Sequence, residues 1–96
     1  MHGYDLYSYV KLLNLLNLSK HSLERYYERL PEEYHVKPKN IKRKVAVELA
    51  DSLKKGCPIK AECIHLPFED DYIAVIKPGI CRWTIITFYE PYSKED

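Results

Sequence analysis

A helix drawn through Ser19-Lys20-His21-Ser22-Leu23-Glu24-Arg25-Tyr26-Tyr27-Glu28-Arg29 gathers His21, Arg25, Glu28 and Arg29 on one side. Spacings of four, seven and eight residues each fall within about 80° of His21 at 3.6 residues per turn. An imidazole changes charge near neutral pH, and each guanidinium carries a permanent positive charge in a planar donor fork. Metal-independent cleavage of an RNA phosphodiester needs a base for the 2′-hydroxyl, positive charge on the non-bridging oxygens and an acid for the leaving oxygen. His21 suits either proton-transfer role, Arg25 and Arg29 suit the phosphate, and Glu28 is placed to orient or neutralise an arginine. A solvated, ion-paired helix side has the same composition, and its pairs contribute only about 0.2–0.5 kcal/mol each.

Three helices and a sheet must position these groups. Between Asp5 and Asn17, Leu6, Tyr9, Val10, Leu12, Leu13, Leu15 and Leu16 cover most of a helix circumference, with Asp5 as N-cap. That pattern predicts a first helix that is largely buried or lies on a partner. A second helix starts at Ser19, with Leu18 and Leu23 as a hydrophobic staple, and ends at Pro31. Its core stripe is Leu23, Tyr26, Tyr27 and Leu30, roughly opposite the direction of His21 and Arg25. Residues 31–39 read as a polar connector. Asn40 then caps a third helix of about fifteen residues that ends at Gly56. Its stripe is Ile41, Val45, Leu49 and Leu53, widened by Ala46, Val47 and Ala50. Lys54 and Lys55 suit the carbonyl end of that helix without any ligand.

Beyond Cys57-Pro58 the period changes to two. Ile59–Leu66 reads as a strand, Pro67–Asp71 as a loop, Tyr72–Lys77 as a strand and Cys81–Tyr89 as a longer one. Lys77-Pro78-Gly79-Ile80 is a turn signal that makes the last two strands a hairpin. Pairing Lys77 with Ile80 puts Ile73, Val75, Arg82, Thr84, Ile86 and Phe88 on a core-like face. The other face then carries Tyr72, Ala74, Ile76, Cys81, Trp83, Ile85, Thr87 and Tyr89. The expected architecture is α+β, three helices followed by a three-stranded antiparallel sheet with a C-terminal hairpin, residues 1–96 forming one domain.

Size and composition agree with a single small core. The chain has 96 residues, 46% hydrophobic and 30% charged, which suits a folded protein and not a disordered one. Its net charge of +1 supplies no global field for a polyanion, so any nucleic-acid affinity rests on local patches. Lysines and arginines gather at Lys37, Lys39, Lys42, Arg43 and Lys44, and acids at Glu69, Asp70 and Asp71. No apolar run is long enough to span a bilayer and no leader pattern opens the chain. With three cysteines in no disulfide framework, a reducing, cytoplasmic setting is expected.

His-Ser-Leu-Glu-Arg-Tyr-Tyr-Glu-Arg at 21–29, followed much later by Trp83-Thr84-Ile85-Ile86-Thr87-Phe88-Tyr89, resembles small RNase toxins of the broad barnase, colicin and RelE-like class. Several such families show a His-x3-Arg-x3-Arg helix and finish in a strand reading apolar-apolar-Thr-apolar-Tyr. The resemblance covers about a fifth of the chain. It implies an antiparallel sheet with helices against it and a cleft joining the His-bearing helix to the last strand. It further implies His21 as the acid-base group, Arg25 and Arg29 as phosphate-stabilising groups, and Thr87 and Tyr89 as positioning hydroxyls. The implied activity is a metal-independent endoribonuclease without a cofactor, with RNA as substrate and a cognate antitoxin or other protein as partner. The first and third helices have no counterpart in the resemblance, and the sequence shows no evident second histidine or glutamate to complement His21.

Two rival readings use other residues. Three helices, a strand and a hairpin are also the succession of a winged helix. There the 40–55 helix enters a major groove with Lys42, Arg43 and Lys44 near its start to contact phosphates, the Lys77 to Arg82 turn forms the wing, and Arg82 and Trp83 join the nucleic-acid-binding residues. A zinc site from Cys57, Cys63, His65 and Cys81 has suitable ligand types but lacks the short Cys-x2–4-Cys knuckle. A non-catalytic interaction or inhibitor module from a mobile element, using the 5–17 helix as its surface, stands behind both.

Overall fold

The leucine-rich opening segment divides between a helix and a strand. The structure, a computed structural model, describes residues 8–56, 59–60 and 62–91. Its elements run α1 (Tyr9–Leu15), β1 (Leu16–Leu18), α2 (Lys20–Arg29), a 3-10 turn (Glu32–Tyr34), α3 (Pro38–Lys55), β2 (Ile59–Lys60), β3 (Cys63–Phe68), β4 (Tyr72–Lys77) and β5 (Trp83–Tyr89). Ser8 caps α1 by accepting from the Lys11 amide at 3.3 Å. The expected cap, Asp5, lies outside the described residues. Leu16–Leu18 then extends as a strand parallel to β5, with Leu16 opposite Trp83 and Leu18 opposite Ile85. A run apolar on every side suits a strand buried on both faces as well as a buried helix. The partner strand decides between them, because only pairing satisfies the extended backbone.

The sheet order is β1-β5-β4-β3-β2. The expected three-stranded antiparallel sheet is thus corrected to a five-stranded mixed one, while the α+β class stands. Only the β1–β5 edge is parallel; β2 through β5 pair antiparallel in sequence order. The strand expected at 59–66 is two pieces, and β3 continues through Pro67 to Phe68, where a loop was expected. Proline is tolerated there because β2 pairs only with Cys63 and Ile64, leaving the rest of that side of β3 as an edge.

A register shift between β4 and β5 reorganises the expected faces. Val75 pairs with Thr87 and Ile76 with Ile85, so Ile86 is an extra residue. Ile85 and Phe88 therefore both enter the core although three residues apart. The core side of the sheet comprises Ile64, Leu66, Phe68, Tyr72, Ala74, Ile76, Ile85 and Phe88. The face expected to be core, through Ile73 and Val75, is the opposite one. One slipped residue flips every side chain beyond it, and so it separates Trp83, packed against the core, from Thr87 and Tyr89. The hairpin also opens wider than a two-residue turn, since the last cross-strand pair is Lys77 with Thr84.

All three helices lie on the core side. Ile41, Val45, Ala46 and Leu49 of α3 join Leu12, Leu16, Tyr26 and Leu30 in the same cluster. Helix α3 begins earlier than expected, with Lys37 extended at the cap and Pro38 at the first helical turn, where its missing N–H costs nothing. Gly56 ends it at φ 85, a conformation that favours glycine. Val47, expected in the stripe, is 53% exposed. Among the described residues no helix is long and apolar enough to cross a membrane.

Candidate functional site

Helix α2 closes the free edge of β5 where β1 stops. Ser19, its N-cap, accepts from the Ser22 amide at 3.1 Å while its hydroxyl donates to the Ile85 carbonyl at 3.2 Å. At the other end the Arg29 guanidinium donates to the Phe88 carbonyl at 2.9 Å. Both carbonyls belong to an edge that would otherwise template another strand. Between these anchors, Tyr26 is fully buried, edge-on to Phe88 with ring centroids 5.0 Å apart, and its hydroxyl donates to the Tyr34 carbonyl at 2.6 Å. Burial first, and then the nearby Glu69 carboxylate, push the Tyr26 phenol up to about 12. Tyr27, expected in the core, is partly exposed and hydrogen-bonded to the Val36 carbonyl.

This anchoring fixes the rotation of α2. From Tyr26, in the direction away from Leu23 and Leu30, Arg29, Arg25 and His21 follow at roughly 60°, 100° and 140° around the axis. Arg29 touches the strand edge, so Arg25 and His21 lie beyond that contact, away from the core. Arg25 is half-buried and paired with Glu28 at 2.9 Å. His21 is exposed.

Thr87 and Tyr89 belong to the sheet face opposite the helices. Pairing sets Thr87, Val75 and His65 in one cross-strand row and Tyr89, Ile73 and Pro67 in the next. None of α1, α2 and α3 packs on this face. Val75 is nonetheless only 8% exposed and stands outside the main core. The Tyr89 hydroxyl lies 3.4 Å from His65 Nδ1, and the two rings meet edge-on with centroids 6.5 Å apart. The tautomer sets which of the two donates: with Nδ1–H donating to the Tyr89 oxygen, Nε2 keeps its lone pair. Thr87 makes a long contact of 3.5 Å to the Phe88 carbonyl.

The structure therefore gathers Arg29 and the last strand, and adds His65, which sequence reasoning weighed only as a zinc ligand. The signal for it was present: Cys63, His65 and Pro67 alternate with Ile64, Leu66 and Phe68 along one strand. Other candidates lie elsewhere. Lys42, Arg43 and Lys44 are on α3, across the sheet from Tyr89; Arg43 reaches Asn40 at 3.4 Å and Lys44 is bound to Glu69 at 2.7 Å. A cleft of about 340 Å³ beside them has Val47 and Phe68 with Arg43, Lys44, Glu48 and Glu69, opposite charges that largely cancel. Arg82 is exposed in the β4–β5 loop. Of the zinc candidates, Cys57 is outside the described residues and Cys63 and Cys81 are free thiols. Among the described residues no three His, Cys, Asp or Glu side chains are grouped to hold a metal ion. No protein-family model, curated protein or solved structure matches the chain.

Proposed function

We propose that the protein is an endoribonuclease of the RNase-toxin type that cleaves RNA by acid-base catalysis on the sheet face that no described helix covers. The observation that carries this reading is the His65–Tyr89 contact on a face that no described helix covers. His65 is the imidazole that this face offers for proton transfer, since His21 stands on α2, on the helix side of the sheet. Neutral His65 takes the proton of the 2′-hydroxyl through Nε2, the oxygen attacks phosphorus, and the imidazolium so formed returns that proton, through water, to the departing 5′-oxygen, leaving a 2′,3′-cyclic phosphate. Tyr89 orients His65 through Nδ1, and Thr87 is a positioning hydroxyl in the adjacent row. Arg25 and Arg29 keep donors beyond those committed to Glu28 and Phe88, since each guanidinium carries five. Arg29, whose guanidinium meets the same Phe88 carbonyl that Thr87 touches, is the one that serves the non-bridging oxygens, where charge grows in the transition state.

Cleavage of a mixed-sequence RNA in EDTA tests the proposal. Wild type should give 2′,3′-cyclic phosphate ends, and His65→Ala should lower the rate by roughly 10²–10⁴-fold. Tyr89→Phe should lower the rate less, with a displaced pH profile. An absence of cleavage by folded wild type across a range of RNAs, or undiminished cleavage by His65→Ala, would overturn it.

A further inference from the structure

The loop joining β4 to β5 carries a side chain with no place in the fold. Ile80 is 101% exposed, as open as the residue can be. The loop is nevertheless built and not slack: a Cβ on Gly79 would stand 2.5 Å from the Arg82 carbonyl oxygen, so the backbone closes through a contact that only glycine permits. Two cations flank the isoleucine. Lys77 and Arg82 are both exposed, and neither side chain has a hydrogen bond or ion pair among the described residues. Lys77 follows the core residue Ile76 and pairs with Thr84, so it stands on the sheet face opposite the helices, the face of His65, Thr87 and Tyr89. From Thr84 to Tyr89 that face runs roughly 15 Å at the rise of an antiparallel strand.

We propose that this tip is a binding site for single-stranded nucleic acid, with Ile80 packed on the face of an unpaired base and Lys77 and Arg82 on the neighbouring phosphates. The proposal takes its direction from the reading of the face opposite the helices as an RNA surface. One isoleucine offers far less apolar area than stable attachment to a bilayer requires, whereas one apolar side chain between cations is what an exposed base and its phosphates match. A duplex would first have to unstack, at about a few kcal/mol per step, which favours the single strand.

Binding of a short 2′-O-methylated oligoribonucleotide, which lacks the attacking hydroxyl, separates this site from catalysis. Followed by fluorescence anisotropy, Ile80→Ser should weaken binding roughly five- to tenfold. Lys77→Ala/Arg82→Ala should reduce the slope of log K against log salt by about 1.4, at about 0.7 per phosphate contact on a single strand. Both variants alter exposed side chains, and circular dichroism verifies that they fold. Unchanged affinity and slope in both would overturn the proposal, as would wild-type binding to phosphatidylserine vesicles that Ile80→Ser abolishes while oligonucleotide binding stays intact. Weakened binding in the tip variants without any RNA cleavage by wild type would sustain the tip and remove the nuclease. His65-dependent cleavage with unaltered tip variants would do the reverse.

Discussion

Tyr26→Phe removes one oxygen from the centre of the molecule and should be felt in both stability and its pH dependence. The ring is fully buried against Phe68, Phe88, Tyr27 and His35, contacts that phenylalanine keeps. What is lost is the 2.6 Å hydrogen bond to the Tyr34 carbonyl, which pins the connector between α2 and α3. Leaving that carbonyl without its partner costs about 1–3 kcal/mol. For a domain this size that is a urea midpoint lower by roughly 1–2 M. The wild-type phenol, raised from 10.0 to about 12 by burial and by Glu69, adds a pH signature. A pKa raised on folding means the neutral form is the one the fold holds, so its contribution is complete below pH 10 and is lost as pH rises through about 12. The displacement amounts to roughly 2–3 kcal/mol. Urea titrations read by Trp83 fluorescence should therefore show Tyr26→Phe less stable at pH 8, and the gap should close between pH 10 and 12. An unchanged gap across that window, or equal stability at pH 8, would refute the assignment of Tyr26 as the buried anchor of α2.

Ser19→Ala removes both the cap on the Ser22 amide and the bond to the Ile85 carbonyl, and should cost about 1–2 kcal/mol with faster amide exchange in the first turn of α2. Arg29→Ala uncovers the Phe88 carbonyl on the β5 edge. It should lose about 1–2 kcal/mol and self-associate with rising concentration in light scattering, since a bared strand edge recruits another chain. The Lys44–Glu69 pair, partly open to solvent, should give a coupling below about 1 kcal/mol in a Lys44→Ala/Glu69→Gln double-mutant cycle, and added salt should shrink it.

Local chemistry determined a good part of this protein. Ser19 as the start of α2, Tyr72–Lys77 as a strand, Gly56 as the end of α3 and the Ile41–Val45–Leu49 stripe all follow from capping, periodicity and the conformational freedom of glycine. The shared side of His21, Arg25 and Arg29 is helix geometry alone. What the sequence could not settle were the features owned by a partner element. Leu16–Leu18 is a strand because β5 offers it hydrogen bonds, and Pro67 sits in a strand because β2 stops short. Trp83 parts from Thr87 and Tyr89 because Ile86 is squeezed out of the ladder. The candidate site depended on that last event. A bulge is a disagreement between two strands about register, invisible in either one, and it decided which face carries Tyr89 and therefore that His65, not His21, is the histidine it touches.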